Sequence, residues 1–225
     1  MFDSYSTPEA FKEQSGYTID GIWYPRVTKI VGIKAKPALY RYYADAPSFK
    51  HAQETTEKSA EEGTLVHEAV EAILLGKPKP ADTIDHRVLP AVTAFVEFLD
   101  HNNIQTAAEW VERRILHKNE RYAGTIDALA LINGKFGVLD IKTSQGIYRD
   151  YNLQTAAYMD ALKSEFQNLQ TRWILRIDQI QMCARCKATR RTKGGREKIK
   201  KNGRNPCPND EHEWGNMQGV IEMKE

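Results

Sequence analysis

Asn133-Gly134 constrains this chain more than any other pair of residues. It separates two runs rich in β-branched and apolar side chains, residues 121–132 and 136–143. An Asn-Gly pair in that setting is the strongest short-range signal for a two-residue type I′ hairpin turn. The turn fixes a register: with Ile132 facing Lys135, counting back along both strands sets Asp127 across from Asp140. Opposed residues hold their Cβ atoms about 4.5–5.5 Å apart, and like charges placed there are destabilising. A divalent cation would offset that repulsion. Side chains alternate along a strand, so Asp140 and Lys142 share one face while Leu139 and Ile141 share the other. Carboxylate oxygens of this kind suit magnesium or manganese, which keep several waters and accept phosphate oxygens. The lysine would then stand beside a metal-bound water. Taken alone, the three charges also fit exposed hairpin acids paired with Lys142.

The order of elements around the hairpin follows from hydrophobic periodicity. Residues 1–24 are polar and aromatic without a clear period and read as an N-terminal extension. Helices are expected near 36–45, 57–75 and 86–101, the last starting nearer 88 because Pro90 is tolerated only in a first turn. Strands are expected near 107–117, 121–132 and 136–143, then a helix near 152–167 with Asn152 as N-cap. Strands near 171–182 and 218–223 complete the chain. The class is therefore α/β (α+β), with one main core over residues 25–182 and a small element over 183–225.

Several side chains stand at helical spacing. His67 and Glu71 lie one turn apart, as do Gln154 and Tyr158. Spacing alone also fits a structural histidine and a polar stripe on a packed helix. Glu112 is a candidate metal or water contact, with an ion pair to Arg114 as its simpler explanation.

The motifs Gly63-Thr-Leu-Val-His67, Gly124-Thr-Ile-Asp127, Asp140-Ile-Lys142 and Gln154-Thr-Ala-Ala-Tyr158 occur in that order. Together they resemble the PD-(D/E)XK nuclease superfamily, in its RecB-like exonuclease branch of phage-type and CRISPR-associated nucleases. Val27–Val31 and Lys36–Leu39 are similar to the segment before the histidine helix. The resemblance implies a restriction-endonuclease-like core of order αβββαβ, with a mixed sheet flanked by helices. It implies a magnesium- or manganese-dependent deoxyribonuclease, an exonuclease or structure-directed enzyme of recombination, repair or mobile-element DNA processing. Asp127, Asp140, His67 and the Ile141 carbonyl would hold one or two ions. Lys142 would orient water or stabilise developing charge, while Gln154 and Tyr158 would contact the DNA backbone or brace the lysine. Partners would be single-stranded or duplex DNA ends and recombination or spacer-acquisition proteins. The alternative is a non-catalytic or partner-gated nucleic-acid-binding subunit.

Cys183, Cys186, Cys207 and His212 form two close pairs of soft or borderline ligands, which fits a tetrahedral structural zinc ion. Free thiols are the alternative. Three cysteines cannot all pair as disulfides, and the reducing compartment expected for the chain disfavours them. Some RecB-like nucleases hold an iron–sulfur cluster with one cysteine before the core and three after it. No cysteine here precedes residue 183, so a cluster is disfavoured.

Charge is unevenly distributed. The chain is only +2 overall, yet residues 185–204 hold ten Lys or Arg against Glu197. Such asymmetry points to a polyanion met by one local element. Lys187, Arg190, Arg191, Lys193, Arg196, Lys198, Lys200, Lys201 and Arg204 are therefore candidate phosphate contacts on a loop between the two ligand pairs, although a solvated tail fits the same composition. The N-terminus lacks a basic region followed by an apolar stretch, and no window approaches the about 18 apolar residues of a membrane span. A cytoplasmic location in a bacterial, archaeal or phage-infected cell is the expectation.

Overall fold

Three two-residue turns of the same kind shape the chain. In the computed structural model, which describes residues 5–34, 36–77, 80–202, 206–208 and 211–225, Asp20-Gly21, Asn133-Gly134 and Gly194-Gly195 all have positive φ at both positions. Each closes an antiparallel hairpin, as type I′ geometry requires. The first joins β1 (Gly16–Ile19) to β2 (Ile22–Pro25), after α1 (Pro8–Ser15). The N-terminal extension thus packs as a helix and a hairpin, and Tyr17 ties it to the main sheet through a 3.1 Å bond to Thr125. α2 (Val27–Gly32) and α3 (Pro37–Asp45) follow.

α4 spans Phe49–Leu74, one helix that begins well before the expected residue 57 because Ser48 caps it, accepting the His51 amide at 3.1 Å. α5 (Leu89–Asn102) carries Pro90 in its first turn as expected. β3 (Ile104–Gln105), β4 (Val111–His117), β5 (Tyr122–Ile132) and β6 (Lys135–Lys142) come next. α6 occupies Arg149–Leu162, starting at Tyr148 rather than Asn152, which lies inside the helix and caps nothing. Last come β7 (Thr171–Cys183), β8 (Thr189–Lys193), β9 (Arg196–Lys200) and β10 (Trp214–Lys224). The basic segment expected as a loop is thus largely the β8–β9 hairpin.

The main sheet is mixed. β6 is antiparallel to β5 and parallel to β7, with α6 making the crossover. Both β3 and β4 pair with β5, and β7 is flanked along its length by β10. Helices cover the two faces. α4 and α5 bury Val66, Val70, Val92 and Phe95 against Ala128, Leu139, Leu175 and Ile177. On the other face Val27 of α2 and Tyr158 and Leu162 of α6 pack on Ile115, Ile126, Leu129 and Val138. Among the described residues no helix is long and apolar enough to cross a membrane. Phe95 is fully buried between α5 and the sheet. Phe95→Ala should lower the unfolding free energy by about 3–5 kcal/mol, measured by urea denaturation.

Candidate functional site

The β5–β6 ladder runs from Ile132↔Lys135 to Ala128↔Leu139 in the register set by Asn133-Gly134, and there it stops. Ala128 is also the last β5 residue paired with β4, through Val111. From residue 127 backwards β5 follows β4, so β5 and β6 part and leave a cleft between them. Asp127 sits at the fork. It is not the ladder partner of Asp140 expected from the register; its Oδ2 instead accepts the backbone N–H of Ile141. A side chain thereby replaces the main-chain acceptor lost at the fork.

The cleft gathers groups from four elements, β5, β6, α6 and α4. Asp140 and Lys142 face α6, where Asp140 Oδ1 accepts from Gln154 Nε2 at 3.1 Å and Lys142 Nζ lies 2.7 Å from Asp140 Oδ2. Gln154 also donates to the Tyr158 hydroxyl at 2.9 Å. From α4, His67 Nδ1 approaches Asp127 Oδ1 at 3.8 Å. All six side chains singled out by the motifs therefore converge. Two motif glycines make room for them. A Cβ at Gly124 would lie 2.7 Å from the Tyr158 ring, and one at Gly63 2.8 Å from Thr143 Oγ1.

Burial dominates the electrostatics. Asp140 is 2 % exposed, and desolvation, only partly countered by Lys142, lifts its carboxyl to about 6. Desolvation likewise raises Asp127. His67 moves down, first through burial and then through Lys142, which favours a neutral imidazole. Asp140 Oδ2 is buried against the Lys142 ammonium, so a single cation stands beside the two carboxyls of the cleft.

Tyr151 was not evident from the motifs, and Glu112 is the candidate metal or water contact singled out in the sequence. Tyr151, one turn before Gln154 on α6, lies under Lys142 Nζ with 5.2 Å to its ring centre; the i, i+3, i+7 spacing of Tyr151, Gln154 and Tyr158 was the available signal. Glu112 has φ +50° and skips pairing opposite Asp127. Its carboxyl rises to about 7, through desolvation and then repulsion by Asp127 and Glu71, although the residue as a whole stays exposed. The ion pair expected between Glu112 and Arg114 does not form; Arg114 stacks 4.8 Å from the Tyr17 ring.

At the far end of β7, Cys183, Cys186, Cys207 and His212 place their donor atoms within 4.8 Å of one another, a group able to hold a metal ion. Cys183 and Cys207 sulfurs are 3.8 Å apart, and Cys186 Sγ lies 3.3 Å from His212 Nδ1. Burial alone would raise the Cys183 thiol. Hydrogen bonds from the Cys186 amide, His212 and the Arg185 and Glu213 amides outweigh it and bring the thiol down to about 5. The candidate phosphate contacts divide between two faces of the β8–β9 hairpin and its flanks, and Arg204 lies outside the described residues.

The raised carboxyls give stability a definite pH dependence. A carboxyl whose folded pKa exceeds its ordinary value near 4 makes the native state bind the extra proton, so stability falls as pH rises through that interval. Lowered His67 works in the opposite sense below about 6.5. With divalent ions removed from the buffer, wild-type stability should drop by on the order of 2 kcal/mol between pH 4 and pH 7, and manganese added at pH 7 should restore it. Equal denaturation midpoints across that range would contradict the burial argument. No protein-family model matches this chain, and no curated protein aligns with it.

Proposed function

We propose that the chain is a metal-dependent nuclease that hydrolyses DNA phosphodiesters, with the β5–β6 fork as its active site. The observation that carries this reading is the convergence of Asp127, Asp140, Lys142 and His67 at one cleft, braced by Gln154. The donor set fits a hard divalent cation. Asp140 is buried and Asp127 partly so, the two carboxyls have a single lysine beside them, and burial shifts His67 toward its neutral form. Asp127, Asp140, His67 and the Ile141 carbonyl would hold one or two magnesium or manganese ions. Bound there, such an ion lowers the pKa of a water and polarises a phosphate oxygen.

The chain's own residues do the rest. Lys142 keeps its ammonium between Asp140 and the Tyr151 ring, a fixed positive charge beside the position where negative charge grows on the phosphate. Gln154 restrains Asp140 and is itself held by Tyr158. The groups gathered in this cleft would act on phosphate oxygens, in keeping with an exonuclease or structure-directed enzyme.

The cysteine and histidine group we assign to structural zinc. A tetrahedron with Zn–S bonds of about 2.3 Å has edges of about 3.8 Å, the observed separation of the Cys183 and Cys207 sulfurs. His212 Nε2 is buried without a partner, and the Ala188 amide donates to Cys186 Sγ at 3.4 Å.

Asp140→Asn and Lys142→Ala should each abolish hydrolysis of end-labelled single-stranded, duplex and circular DNA while leaving circular dichroism unchanged. Near-normal cleavage by purified Asp140→Asn protein would refute the assignment. Cys186→Ser should lose one equivalent of zinc by elemental analysis and lower the melting temperature; wild-type protein purified free of zinc would exclude that ion.

A further inference from the structure

The β8–β9 hairpin is unevenly charged across its two faces. Its register sets Arg191 opposite Lys198 and Lys193 opposite Arg196, so four cations share one face as two directly facing like-charge pairs, an arrangement that destabilises a ladder. The other face is compensated. There Arg190 bonds Gln181 at 2.7 Å, pairs with Glu197 at 3.3 Å and lies over the Trp214 ring. On the cationic face, Asp178 accepts from Arg191 at 2.6 Å and is already bonded to Arg176.

That cationic face is one wall of a groove. The other wall is α3 and the first half of α4, and two adjoining cavities of about 210 and 300 Å³ lie between them, sharing Tyr42, Thr55 and Arg196. The hairpin tip is latched across the top. Gly194 donates its amide to Glu62 at 3.0 Å, and at φ +61° any Cβ there would sit 2.1 Å from Ser59 Oγ. The inner end reaches the cleft: Lys193 Nζ donates to the Thr143 carbonyl at 2.5 Å and Arg191 to the same oxygen at 3.3 Å. Thr143 directly follows Lys142.

We propose that this groove seats the sugar–phosphate backbone of a single nucleic-acid strand and leads it to the β5–β6 fork. The assignment of the fork as destination rests on the nuclease reading above; the binding site itself does not. Cations at alternate positions of a β-strand recur about every 6.8 Å, a repeat that follows an extended phosphate backbone, and the polyanion adds counter-charge to a face on which, among the described residues, Arg191 alone of the four has a carboxylate partner. The hydroxyls of Thr56 and Ser59 and the amide of Gln145 line the same cavity. Tyr42 lines both cavities, with Arg196 4.7 Å over its ring; on the same two helices Tyr40 and Phe49 are each 58 % exposed, and Phe49 stacks on Tyr43 with ring centres 5.5 Å apart. A basic groove beside exposed aromatic rings is the combination that holds single strands, with bases stacked and phosphates paired.

The test is fluorescence anisotropy of labelled single-stranded DNA, single-stranded RNA and blunt duplex DNA, titrated against salt in buffer without magnesium or manganese. Wild-type protein should bind one or both single strands about tenfold or more tighter than duplex. The double variant Arg196→Ser/Lys198→Ser should lose about tenfold or more and show a salt slope shallower by about 1.4, two phosphates at about 0.7 each. The control Lys77→Ser/Lys118→Ser, with the same charge change elsewhere, should bind as wild type does. Equal binding by the groove variant and wild type, or equal affinity for duplex and single strand, overturns the proposal. Parallel cleavage assays with manganese keep the two readings apart: groove-dependent binding without any cleavage removes the nuclease reading and keeps the groove, while cleavage with groove-independent binding does the reverse.

Discussion

A single hydrogen bond outside the β-ladders organises the centre of this molecule: the Asp127 carboxylate accepting the Ile141 amide where β5 and β6 part. Without it the fork would leave a buried N–H unpaired, at a cost of about 1–3 kcal/mol. With it, the two strands stay registered up to Leu139 and then open, and Asp140 is carried into the opening with Lys142 beside it. Holding a buried and a partly buried carboxylate against one ammonium is electrostatically poor, since the effective desolvation penalty of a buried ion runs to several kcal/mol. Both carboxyls rise above their ordinary values, Asp140 to about 6. The fold thus keeps a strained charge distribution at one place and surrounds it with two well-packed hydrophobic layers.

Much of this was legible in the sequence, for identifiable reasons. Asn133-Gly134 gave the correct register because its turn leaves no freedom in the pairing, and the alternation that follows from it puts Asp140 and Lys142 on the face observed. The ordered glycine, histidine, glutamine and tyrosine positions brought the remaining members together. The two glycines also turn out to have a steric reason, since Tyr158 and Thr143 occupy the space a side chain would need. The Cys183, Cys186, Cys207 and His212 cluster was evident from spacing.

The errors share a cause. Asp20-Gly21 and Gly194-Gly195 carry the same turn signal as Asn133-Gly134, yet the runs beside them are short, polar or charged, and periodicity in hydrophobicity is silent there. Tertiary packing against β5 and α4 holds those hairpins instead. The fork itself could not be read because it depends on β4 drawing β5 away, a competition between two partners that pairing rules for one hairpin do not contain. α6 begins at Tyr148 without a side-chain cap, so its start left no mark of the kind sought at Asn152.

β7 and β10 are hydrogen-bonded neighbours, and the chain between them carries the β8–β9 hairpin, whose first strand adds to the same sheet at the end of β7. Loop-closure entropy grows only slowly with length, about 0.6 kcal/mol per doubling. The length of that segment can therefore vary with little penalty to the pairing of β7 with β10, so the β5–β6 cleft and the cationic hairpin face are free to diversify independently.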